Sequence, residues 1–203
     1  MSLRRVLSSC SSAVVQVGLL FSNLMSADAN MSRILRWEIL PGLPGEGPIP
    51  KHFHFGHPTP WAEGFVTRFW NVDGSEWVGN FQGGIIGLNA VLEWAEADCV
   101  VLFARGACYF IPAGKPDRYE NHGTDAMYAL FDELRTLLIV AYEDGDLIAF
   151  DRSGTKRWIR EGFGAFGVVL QSCELGVVVA EVEIDYEDSW RTVRISAVDG
   201  TDV

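Results

Sequence analysis

Basic residues are scarce in this chain. Lys and Arg number 16 against 27 Asp and Glu, which gives a formal net charge of −11 over 203 residues. Neutralising a phosphate backbone takes clustered Lys and Arg, so nucleic acid is excluded as a partner and an anionic membrane surface is disfavoured. No run interleaves basic and aromatic residues as a platform for single strands does. Long apolar runs are missing as well. Residues 13–21 (AVVQVGLLF) fall well short of the ~20 residues of a spanning helix, so no integral membrane span is expected. The chain has no Gly-x-Ser-x-Gly elbow, no Gly-x4-Gly-Lys loop and no strand-then-glycine dinucleotide fingerprint. Residues 83–87 (GGIIG) lack the Lys and Ser/Thr of a phosphate cradle and read as a mobile connection. The four cysteines show no CxxC spacing.

The first 29 residues differ from the rest. Arg4 and Arg5 supply a positive start, residues 13–21 a modest apolar core, and Ala27, Asp28 and Ala29 a small-x-small cleavage pattern. This reads as a secretory signal and places the protein outside the cytoplasm, in a periplasmic or extracellular setting. The competing reading starts the protein at Met31 and leaves it cytoplasmic. Residues 30–203 read as one domain, long enough to bury a substantial core.

What the chain does have is glycine and aromatic residues in a recurring pattern. Gly74, Gly114 and Gly154 are spaced 40 residues apart, each ending a strand-like run, and Gly200 follows after 46. Units of this length that cannot bury their apolar faces alone stack on one another. Residues 34–40 form an opening strand. Residues 41–60 hold six prolines and four glycines and form a loop or belt. Residues 65–72 and 76–81 flank the Asp73-Gly74 turn. Further pairs are residues 99–104 with 107–112, 137–143 with 146–151, and 177–185 with 191–198.

In each of the last three pairs one strand is apolar without interruption: Val100 to Phe103, Leu137 to Val140, Val177 to Ala180. A strand with one wet face alternates, so these strands are expected to be covered on both faces. With a two-residue turn at Arg105-Gly106, Cys108 faces Phe103 and Cys99 faces Pro112. The two thiols then lie several rungs apart and stay free.

Residues 145–158 read G-D-L-I-A-F-D-R-S-G-T-K-R-W. Gly145, Leu147, Ala149, Asp151, Gly154 and Trp158 resemble the repeat of quinoprotein-like β-propellers. That resemblance implies an all-β repeat fold in which the Trp docks between neighbouring blades. No cofactor pocket or calcium-ligand pattern accompanies it, so it implies no enzymology.

Two groups of residues raise chemistry. His52 and His54 alternate onto one side of an extended segment, suited to gripping one divalent metal, with His57 and Asp117 as further ligands. The segment from Gly106 through Pro112, Gly114 and Asp117 to Asn121 resembles the second motif of cupins, with Asp117 where that family has histidine. The competing reading has the histidines packing in a proline-rich loop. Paired carboxylates at Asp144/Asp146 and Glu187/Asp188, and a calcium loop at 185–188, read as solvated hairpin tips. Trp61, in the belt, and Trp190, at a long hairpin tip, are candidates for an interaction patch.

The sequence therefore predicts an all-β, propeller-like array of about four antiparallel repeats, with a two-sheet sandwich as the alternative. Its predicted role is a non-catalytic binding or scaffold module with a protein partner, with neutralisation of a basic partner such as a toxin as the alternative form of that role. No cofactor is expected. The competing class is a cupin-like metal-dependent enzyme or metal-binding protein built on His52 and His54. An open array exposes a sheet edge, which makes a homodimer plausible.

Overall fold

The computed structural model describes residues 34–56, 63–164, 167–184 and 189–203. The stretch read as a secretory signal (residues 1–29), Met31, His57, Trp61 and residues 185–188 lie outside the described residues. The fold is all-β: four small sheets stacked face to face in series, an open propeller-like array. The first sheet contains β1 (Ile34–Leu40), β2 (Lys51–Phe53), β3 (Phe65–Asn71) and β4 (Glu76–Phe81). The second is a meander of β5 (Ala90–Trp94), β6 (Cys99–Ala104), β7 (Ala107–Pro112) and β8 (Glu120–Asn121). The third repeats it with β9 (Ala126–Phe131), β10 (Leu137–Tyr142), β11 (Leu147–Asp151) and β12 (Lys156–Arg160). The fourth has β13 (Val168–Glu174), β14 (Val177–Glu183) and β15 (Trp190–Ser196), with Asp202 bridged to Ile195 in the place of a fourth strand. Among the described residues no helix is long and apolar enough to cross a membrane.

Stacking explains the unbroken apolar runs. In β6, Val100, Leu102 and Ala104 face the first sheet while Val101 and Phe103 face the third. In β10, Leu138 and Val140 face the second sheet while Ile139 and Ala141 face the fourth. β6 and β10 are thus buried on both sides, and three cores hold four sheets. The third run, Val177 to Ala180 in β14, departs from its expectation. Val178 and Ala180 enter the last core, but Val177 and Val179 point outward and are only half-buried, because no further sheet stacks on that side among the described residues. The register is the expected one: Cys99 pairs with Pro112, Phe103 with Cys108. Cys99, Cys108 and Cys173 are free thiols. Burial pushes the Cys99 thiol up to about 12.

Tight turns recur with one geometry. Asn71, Tyr142 and Asp151 each donate their N–H to the carbonyl four residues on, and each accepts at its own carbonyl from a glycine three residues on. This is the three-residue hairpin with a glycine in the left-handed region. Asp73 reinforces such a turn, and Asp199 the one-residue-longer turn after Ser196, by accepting the backbone N–H two residues on. Hydrogen bonds from the Ser75 side chain and from the Ser196 and Thr201 side chains hold their carboxyls low. The Asp144/Asp146 pair is structural too. Asp144 accepts from Asp146 N–H, and Asp146 accepts from Gly162 N–H at 2.8 Å.

Tryptophans tie the sheets together. The Trp94 indole N–H donates to the Arg135 carbonyl of the third sheet, and Trp158 donates to the Ala197 carbonyl of the fourth, both at 2.8 Å. The 83–87 connection is not loose, contrary to its sequence reading. Gly84 N–H donates to Ala104 at 2.9 Å, and a Cβ on Gly84 would stand 1.9 Å from the Thr124 carbonyl oxygen. Its glycines permit close backbone approach, not mobility.

The first sheet departs from the meander. Its order is β1-β3-β4-β2, with β2 parallel to β4. Residues 41–50 must therefore cross one face to join strands on opposite edges. Val66 and Val78, turned away from the second sheet, are 2% and 0% exposed, as a proline-rich belt over that face requires.

His122 is wedged between Phe110 and Phe150, with ring centroids at 4.6 and 4.9 Å. Burial lowers its pKa from 6.5, and Lys156 adds to this; Glu120, 3.4 Å from Nε2, opposes it. The unfolded chain therefore takes up the proton first as pH falls below 6.5. Stability is expected to fall as pH drops through 6.5, with a slope that His122→Gln reduces. The depressed Asp73 and Asp199 carboxyls act in the same direction, at lower pH. Urea denaturation of both proteins on either side of pH 6.5 checks this. An identical pH slope in the variant would contradict it.

Candidate functional site

Phe53 sets the histidine segment. It is 1% exposed and stacks on Phe81 at 4.2 Å within the first core, so its neighbours His52 and His54 turn the other way. Their rings lie parallel within 5°, with centroids 6.1 Å apart. Asn80, 3% exposed, fixes the state of His52. Its Oδ1 accepts the Gly64 N–H at 2.7 Å, so its amide nitrogen is the group facing His52 Nδ1 at 3.2 Å. The Nδ1 lone pair is thereby engaged, and a neutral His52 carries its proton on Nε2. The backbone of His54 exchanges hydrogen bonds with the Tyr119 hydroxyl, while its Nδ1 is buried without a hydrogen-bond partner.

Asp117 comes close to this segment, but its carboxylate is held by Lys51 Nζ at 2.7 and 2.9 Å. Among the described residues, no three or more His, Cys, Asp or Glu side chains gather closely enough to hold a metal ion.

Beside His54 a cavity of about 450 Å³ opens between the first and second sheets. Glu63, Asn80, Gln82, Asn89 and Arg105 line it with His54. The sequence reading missed five of these, Glu63, Asn80, Gln82, Asn89 and Arg105, as a polar constellation. Asn80 comes from β4 and the others from separate loops, and no local spacing marks them. The one available signal is Arg105 itself, a long charged residue in the left-handed region (φ 46°) of a tight turn where Gly or Asn is usual.

Trp190 opens β15 and is 44% exposed. It lies on the outward face of the fourth sheet, where a Cβ on Gly167 would stand 3.3 Å from its ring. Register places Val169, Glu181 and Thr192 on this face, then Val179 with Arg194, then Glu174, Val177 and Ser196, and finally Glu183 beside Trp190. Val169, Val177 and Val179 are half-buried, against the 0–2% exposure of Val178, Ala180 and Val182 on the inward face. Among the described residues no core cluster covers this face.

Comparison with protein-family models and with curated proteins gives no match for the chain.

Proposed function

We propose that the chain is a non-catalytic protein-binding or scaffold module that docks its partner on the outward face of the fourth sheet. The observation that carries this reading is the contrast between that face and the others. The second and third sheets are covered on both sides and the first by its belt, while among the described residues the fourth leaves three valines half-buried and an indole exposed. Glu174, Glu181 and Glu183 surround them against one basic residue, Arg194. The fitting partner is a protein with an apolar patch flanked by Lys or Arg. A second copy is disfavoured, because two such faces meeting would oppose like charges.

The full chain is immobilised beside a Trp190→Ala/Glu181→Lys variant and a Glu38→Lys control, and bound proteins from native extract are purified and titrated individually. The reading expects a stoichiometric partner with a basic surface, retained by the control and weakened at least about tenfold by the double variant. A partner that ignores the double variant, or none at all, contradicts it.

A second reading rests on the buried, unpartnered Nδ1 of His54: a cupin-like metal site built on His52 and His54. Its test is elemental analysis beside His52→Ala/His54→Ala. Stoichiometric zinc, iron or manganese lost in the variant would support this second reading. The docking reading expects only trace metal in both.

A further inference from the structure

The cavity between the first and second sheets carries an inference separate from the docking face. Two of its side-chain amides are oriented by backbone groups that can only donate. Phe55 N–H donates to Gln82 Oε1 at 3.3 Å, and Arg105 N–H donates to Asn89 Oδ1 at 2.7 Å. In each amide the oxygen is therefore turned to the backbone donor and the NH2 group is the end left for a ligand. The Arg105 guanidinium uses one nitrogen on the Ile85 carbonyl at 3.0 Å and keeps its other donors. Arg105 and Asn89, from the second sheet's loops, and Gln82, just past β4, thus offer donors and one positive charge.

Glu63, leading into β3 on the first sheet, offers the opposite. Its Oε1 accepts Leu43 N–H at 2.9 Å, and the carboxylate's second oxygen remains for a ligand. A ligand matching both needs an anionic acceptor at one end and a cationic donor at the other. A phosphate dianion matches only the Arg105 side and would crowd Glu63 in a chain of net charge −11. A volume of about 450 Å³ is in the range of small-molecule pockets.

We infer that this cavity binds a free amino acid as its zwitterion, the carboxylate on Arg105, Asn89 and Gln82 and the ammonium on Glu63.

The test is calorimetric titration of the full chain with each standard amino acid, then with the N-acetyl and amide derivatives of the tightest binder, acetate and inorganic phosphate. Glu63→Gln and Arg105→Asn are titrated alongside. Gln keeps the acceptor for Leu43, and Asn tolerates the left-handed backbone at 105, so both variants are expected to fold, which circular dichroism checks. The expected result is saturable binding of at least one amino acid. Blocking either end, or making either substitution, weakens it at least about tenfold. The inference is overturned if no amino acid saturates. It is equally overturned if acetate or phosphate binds as tightly as the amino acid and ignores Glu63→Gln.

Discussion

Gly145→Ala is expected to cost at least about 4 kcal/mol, a large fraction of the stability of an ordinary domain. Two effects add. The residue has φ 83°, where a Cβ costs about 1–2 kcal/mol. That Cβ would also stand 1.8 Å from the Gly164 carbonyl oxygen. The neighbouring backbone cannot simply withdraw, because Gly164 N–H donates to the Gly145 carbonyl at 3.2 Å and closes the contact from the other side. Gly176→Ala separates the two effects. It has φ 74° but nothing within 4 Å of the added carbon, so only the backbone strain of about 1–2 kcal/mol is expected. Urea denaturation of both variants measures the difference. Equal losses would mean that the Gly145–Gly164 contact gives way freely.

Phe150→Ala is the second large effect, at about 3–5 kcal/mol. Phe150 is fully buried in the core shared by the second and third sheets, 5.2 Å from the Phe110 ring and 4.9 Å from His122. In a serial stack each sheet depends on its neighbours, so a cavity in the middle core weakens the array on both sides. A midpoint drop of about 10 °C is expected by thermal melting. A drop within a degree or two would show that the two sheets do not share this core.

The central strands of the second and third sheets were legible in the sequence because two-sided burial writes itself as unbroken apolar runs. Val177 to Ala180 carries the same run with one face left uncovered among the described residues, so there the pattern overstated the burial. Cys99–Ala104 and Ala107–Pro112 match their predicted bounds. The strands that flank them were not read. Lys156–Arg160 (KRWIR) and Ala126–Phe131 (AMYALF) sit on sheet edges, half in water, where composition no longer reports pairing. The glycine spacing was partly informative. Gly114, Gly154 and Gly200 each follow the third strand of their sheets, whereas Gly74 closes the central hairpin of the rearranged first sheet. The cavity had no sequence signature, since its polar residues converge only through stacking. The His52/His54 alternation was read correctly as geometry, but Asn80, which engages the His52 lone pair, comes from β4, 28 positions away.

The most direct test of the open fourth-sheet face is maleimide labelling of two adjacent single substitutions, Val179→Cys and Val178→Cys, with the site located by mass spectrometry. In the folded protein the account expects rapid labelling at 179 and none at 178, because the pleat sends the two side chains to opposite faces. Silence at both positions would mean the outward face is covered, and the docking surface would have to be sought elsewhere.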